Sequence, residues 1–140
     1  LDKAKVIADL NHLLSLEYAA YVGYVTTASM LVGDHAPYWE GIFVGMSADE
    51  LKHAGELRQR IVALGGLPTT RVADVPVDQD PKKFLEKMLA LEHEAHKRYL
   101  KLYKEVPLDH LVLRETAEHI AKDEERDIEE IERLLTKTKK

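Results

Sequence analysis

Proline, alone or together with glycine and turn-forming residues, falls at only three places along this chain. Gly33-Asp34-His35-Ala36-Pro37 is the first. Gly65-Gly66-Leu67-Pro68, followed by Pro76 and Pro81, is the second, and Val106-Pro107-Leu108-Asp109 is the third. Glycine and proline punctuate helices because one frees the backbone and the other removes a donor. Between the breaks lie four long segments whose apolar residues recur three and four apart, the spacing of one helix face. The first stripe runs through Val6, Leu10, Leu13, Leu14, Ala20, Tyr21, Tyr24, Ala28 and Leu31. The second contains Ile42, Met46, Leu57, Ile61 and Leu64, the third Leu85, Met88, Leu89, Ala95, Tyr99, Leu102 and Val106, and the fourth Leu113, Ala117, Ile120, Ile128, Ile131 and Leu135. Asp80 and Pro81 read as the N-cap and first residue of the third helix.

Connection lengths set the expected topology. Short turns near residues 34 and 108 force two antiparallel hairpins. The middle connection, Gly65 to Asp80, has 16 residues and extended would reach roughly 53 Å. A helix of 28 residues is about 42 Å long, so the connection can run the full length of a bundle and leave the second and third helices parallel. The expected fold is all-α: a ferritin-like antiparallel four-helix bundle with one long crossover between helices 2 and 3.

With 140 residues, 45% of them hydrophobic and 32% charged, the chain fits one domain over 1–140 and is too apolar for disorder. The absence of cysteine excludes disulfides, thiolate-held metals and a thiol nucleophile. A net charge of -5 argues against nucleic acid as a partner. No apolar core of a secretory signal is present in Leu1 to Leu10. The longest uncharged stretch, Tyr18 to Gly33, is too short and too rich in Tyr, Thr and Ser to span a bilayer. A cytoplasmic protein with no membrane partner is the expectation. A helix without charge on any face is usually buried all round, so the same stretch predicts self-association, as a dimer or larger.

Each apolar stripe is interrupted by charge at its middle: Glu17 in the first, Glu50 and His53 in the second, Glu92 in the third, Glu124 and Asp127 in the fourth. In an antiparallel hairpin, residues equidistant from the turn lie side by side. The midpoint of Glu17 and Glu50 is 33.5 and that of Glu92 and Glu124 is 108, both within the turns. The chain also repeats: Glu17 and Glu92 are 75 apart, Glu50 and Glu124 are 74 apart, and Asp49-Glu50-x-x-His53 recurs as Asp123-Glu124-x-x-Asp127. Four inward carboxylates at one height are costly unless protonated, hydrogen-bonded or neutralised by cations. Two divalent ions would neutralise them, and a hydrogen-bonded polar core is the bland alternative.

Leu10-Asn11-His12-Leu13-Leu14-Ser15-Leu16-Glu17, Asp49-Glu50-Leu51-Lys52-His53-Ala54, Gly65-Gly66-Leu67-Pro68, Ala90-Leu91-Glu92 and Asp123-Glu124-Glu125 resemble, in order, segments of the bacterioferritin and Dps-like branches of the ferritin-like superfamily. The resemblance implies a dinuclear non-haem iron site in each subunit. Glu17 and Glu92 would be terminal ligands, Glu50 and Glu124 bridges and His53 a terminal imidazole, with Tyr24 as the family's tyrosine beside the site. Asp123 would orient His53.

Three departures follow. Asp127 stands where the family has its second histidine, so Asp49 would face a carboxylate there instead of an imidazole. That favours a harder or more oxidised metal at the second position. His96 is an alternative ligand or a core histidine, and His93 and His119 are expected in solvent. Leu51 occupies the place of the haem-binding methionine, so no haem is expected. The chain given ends at Lys139-Lys140 after the fourth helix, where cage-forming relatives have a fifth. A dodecamer or dimer thus competes with a 24-subunit shell, and Lys137, Lys139 and Lys140 read as a fraying helix end.

The resulting expectation is an iron-binding ferroxidase with two Fe ions (Mn possible), oxidising Fe(II) with O2 or peroxide for detoxification or storage. The alternatives are a rubrerythrin-like peroxide reductase fed by an external donor, and a non-catalytic helical homo-oligomer with a degenerate site.

Overall fold

A computed structural model describes residues 1–137. Four helices form: α1 (Lys3–Met30), α2 (Ala36–Ala63), α3 (Pro81–Glu105) and α4 (Leu111–Leu135). Among the described residues there is no strand. None of these helices is long and apolar enough to cross a membrane. Lys137 lies beyond the end of α4, not within it. Lys139 and Lys140 lie outside the described residues.

Local chemistry sets the ends. The Asp2 carboxylate accepts from the Lys5 amide at the start of α1. The Asp80 carboxylate accepts from the Lys82 and Lys83 amides, with Pro81 leading α3. Gly33 and Gly65 take φ of 94° and 86° in the turns after α1 and α2, a region other side chains resist. The last carbonyls of α3 receive a donor from the opposite helix: the Arg114 guanidinium donates to the Val106 and Tyr103 carbonyls at 2.7 and 3.0 Å.

The apolar residues separate into two cores. One joins Val6–Leu16 of α1 to Leu57 and Ile61 near the end of α2, Tyr99 and Leu102 near the end of α3, and Leu113–Ile120 at the start of α4. The other joins Ala20, Tyr24 and Ala28 to Phe43, Phe84–Met88 and Ile131. The carboxyl ends of α2 and α3 therefore share one end of the bundle, which makes these helices parallel, as the crossover length predicts.

The crossover lies along α1. The Asn11 side chain accepts from the Thr69 amide (2.7 Å) and donates to the Leu67 carbonyl (3.0 Å). Further along, the Ala73 amide donates to the Ser15 carbonyl and the Gln79 amide group donates to the Met30 carbonyl. Where Pro76 passes α1, a Cβ at Gly23 would sit 2.6 Å from the Pro76 carbonyl oxygen, so only glycine lets the two backbones approach this closely.

Candidate metal centre

Between the two apolar cores lies a polar layer. Glu17, Glu50, His53, Glu92 and Glu124 sit there, each no more than 2% exposed, and Asp127 is half-buried beside them. Hairpin register brings them level, and helical periodicity turns them inward. One ligand atom from each of Glu17, Glu50, His53 and Glu124 lies within 4.8 Å of the other three. The same holds for Glu50, Glu92, Glu124 and Asp127. Glu50 and Glu124 belong to both groups, so the two sets of four share an edge.

His53 is held from behind. Its Nε2 lies 2.9 Å from Asp123 Oδ2. A carboxylate there only accepts, so the Nε2 proton is donated to it and Nδ1 faces the layer. Nδ1 is 3.5 Å from Glu124 Oε1 and 3.6 Å from Glu17 Oε2. Burial alone would lower the His53 pKa; Glu124, Glu17 and Asp123 overcome it and push it up to about 11.

Burial raises Glu50 and Glu124 well above the usual carboxylate range, and the charge on Glu17 raises both further. Glu17 moves the other way despite its burial, held below the usual range by polar contacts with Glu50, His53 and Tyr99. Burial and the charge of Asp49 raise Asp127 to about 7. The metal-free layer thus carries protons on several of its groups.

Buried polar atoms normally find partners. Here Glu17 Oε2, Glu50 Oε1, His53 Nδ1, both oxygens of Glu92 and of Glu124, and Asp127 Oδ2 have no hydrogen-bond partner in the protein. All belong to the two sets of four. Oxygen-rich sets with one imidazole fit hard or borderline divalent cations such as Fe(II) or Mn(II).

Several expectations change in the structure. His96 is neither a core residue nor part of the layer; it lines an open cleft on the outside of α3 with His93 and Lys97. His119 is not simply solvated: its Nε2 is 3.4 Å from Glu56 Oε1 and 3.6 Å from Asp123 Oδ2. His93 is exposed as expected, and Leu51 is exposed on the outer face of α2. Tyr24 is fully buried against Phe43 and Phe84, its hydroxyl without a partner.

Helical periodicity marks Tyr99 only as part of an apolar stripe, yet its hydroxyl donates to Glu17 Oε1 at 2.7 Å. The signal lay in the repeat: Tyr24 follows Glu17 by seven residues, and Tyr99 follows Glu92 by seven.

Fold and site define a class: four-helix bundles with a buried carboxylate–histidine cluster suited to two metal ions. Residues 7–140 match the family model of the ferritin-like domain, and the chain belongs to that family. It is similar to a crystal structure of ferritin-like, diiron-carboxylate proteins from Bacillus anthracis str. Ames, with 32% identity and a TM-score of 0.91 over 96% of this chain and 98% of that one. No curated protein sequence matched the chain.

Proposed function

We propose that the protein binds two Fe(II) ions per chain and oxidises them with O2 or peroxide, with iron as the working metal and Mn(II) as the competing one. The observation that carries this reading is the shared edge: two sets of buried, partnerless donor atoms joined through Glu50 and Glu124. Glu17 and His53 would serve one ion and Glu92 and Asp127 the other.

Two ferrous ions bound so would supply one electron each, so that 2 Fe(II), H2O2 and two protons give 2 Fe(III) and two waters. The chain's own part is preparation. Asp123 fixes the His53 tautomer and aims Nδ1 into the layer. Tyr99 fixes one oxygen of Glu17 and leaves the other free. The protons that burial keeps on Glu50 and Glu124, and that the surrounding carboxylates keep on His53, are released as cations enter. Below the layer, Tyr24, Phe43 and Phe84 keep bulk water out.

Self-association belongs to the same reading. Tyr18, Tyr21 and Val22 of α1, with Thr70 and Val72 of the crossover, line an open groove of about 310 Å³, and a second copy of the chain is the proposed cover.

The test is anaerobic loading with two Fe(II) per chain, followed by stopped-flow absorbance on mixing with O2 or H2O2. Rapid formation of Fe(III) at two irons per peroxide supports the proposal, and Glu50→Ala should abolish it. Many turnovers of peroxide only when an external reductant is present would indicate a peroxide reductase instead. A chain that takes up no iron would leave only the helical scaffold.

A further inference from the structure

The internal repeat gives the polar layer two tyrosines, and the structure surrounds them differently. Tyr99 donates to Glu17 and, among the described residues, takes part in no ring pair. Tyr24 is its opposite. Its buried hydroxyl has no partner; burial and then the charges of Glu50, Asp127, Glu124 and Glu17 raise its pKa, which sets that hydroxyl beside the layer. Its ring opens a row of aromatic rings. Between centroids, Tyr24 lies 6.2 Å from Phe43, Phe43 lies 5.8 Å from Trp39, and Trp39 lies 5.3 Å from Tyr38. Phe84 braces the inner step, 5.5 Å from Tyr24 and 5.0 Å from Phe43. All these spacings are those of rings in contact. The row starts on a fully buried residue, passes the half-buried Trp39 and ends on Tyr38, which is 58% exposed in the first turn of α2. Core packing accounts for Tyr24, Phe43 and Phe84. It does not account for the chain's one tryptophan continuing the row to an exposed tyrosine.

We propose that this row is an electron path between the layer and the surface, and that Trp39 supplies an electron through it when too little iron is bound. The proposal rests on the oxidation of iron by peroxide put forward above. Reducing H2O2 to two waters takes two electrons. Two Fe(II) supply both, whereas a single Fe(II) supplies one and would otherwise release hydroxide and a hydroxyl radical. With the row, one Fe(II), Trp39, H2O2 and one proton give Fe(III), two waters and the neutral Trp39 radical. The indole N–H proton passes to water, and the electron crosses Phe43 and Tyr24. In a chain without cysteine, tryptophan and tyrosine are the side chains that lose a single electron most readily. Phe43 is too hard to oxidise and serves as a bridge. Oxidation is thereby moved from the buried ligands to a half-exposed ring beside Tyr38, where reductants in solution reach it.

The test loads the full chain anaerobically with Fe(II) well below one per chain, mixes it with H2O2 and freezes it for EPR. A tryptophan radical signal is expected, with loss of the fluorescence of the single tryptophan and little hydroxyl-radical adduct on a spin trap. At two Fe(II) per chain the radical and the fluorescence loss should both vanish, because iron then supplies both electrons. Phe43→Leu keeps the indole but interrupts the row, so the tryptophan radical should be lost and the spin-trap adduct should appear. Trp39→Phe, at a half-buried position that tolerates the change, should raise the adduct in the same way. Absence of the radical in the wild type overturns the path. So does a Trp39 signal that persists in folded Phe43→Leu, or one that added formate abolishes, since both mark attack by freely diffusing hydroxyl radical. In each of these cases, two irons oxidised per peroxide at full loading leaves the dinuclear reading standing. A chain that takes up no iron overturns both.

Discussion

The hydroxyl of Tyr99 is a single atom reaching from one hairpin to a carboxylate of the other, and its removal is a sharp test of how Glu17 is held. Tyr99→Phe keeps the ring in the core and deletes only that donor. The expected outcome is an unchanged helical circular dichroism spectrum with roughly tenfold weaker binding of the first metal ion, measured by titration. Protonation offers a second test. His53 is raised to about 11 in the folded metal-free protein, so its contribution to stability is complete below its unfolded value near 6.5 and is lost as pH rises toward 11. Asp127 is raised to about 7, so the folded state binds the extra proton between 3.8 and 7, and that contribution is also lost as pH rises. Both slopes have the same sign. The Tm of the metal-free protein should fall between pH 5 and 9 in thermal scans, and Asp127→Asn should flatten the acidic arm. The six charged residues of the layer were legible because charge interrupts an apolar period. Tyr99 and His119 are not legible from periodicity, because a tyrosine on a stripe satisfies the apolar pattern whatever its hydroxyl does, and partners such as Glu17, 82 residues from Tyr99, and Glu56, 63 from His119, leave no local mark.

At the level of elements, the four helices and the parallel placement of α2 and α3 were readable from breaker positions and one loop length. The path of that loop was not. Its seat on α1 depends on Asn11 bridging Leu67 and Thr69 and on a missing side chain at Gly23, neither of which disturbs helical periodicity. Gly23→Ala would ordinarily favour a helix. Here the added methyl group meets the Pro76 carbonyl oxygen at 2.6 Å, and the crossover or α1 must move. The expected effect is a loss of about 1–3 kcal/mol in denaturant unfolding, opposite in sign to the propensity. A Gly41→Ala control, where nothing lies within 4 Å, should be neutral or stabilising.

For the whole molecule, the charge-free half of α1 leaves Tyr18, Tyr21 and Val22 only half covered, beside an exposed Val72. Tyr21→Arg would place a charge in the groove these residues line. In sedimentation velocity it should shift the protein from an assembly toward monomer while leaving its helix content intact. A further property follows from the separation of the apolar residues into two cores. Isolated helices come apart from their tips, where hydrogen bonds are fewest. This bundle is gripped near both tips and carries buried polar groups without hydrogen-bond partners at its waist. Without ions, its least cohesive plane should be the middle, with backbone amides around Glu50 and Glu124 exchanging with deuterium faster than those around Leu57 and Ile131. Two cations would reverse that order, acting as a clasp that closes the rods at mid-length and makes the centre the last part to open.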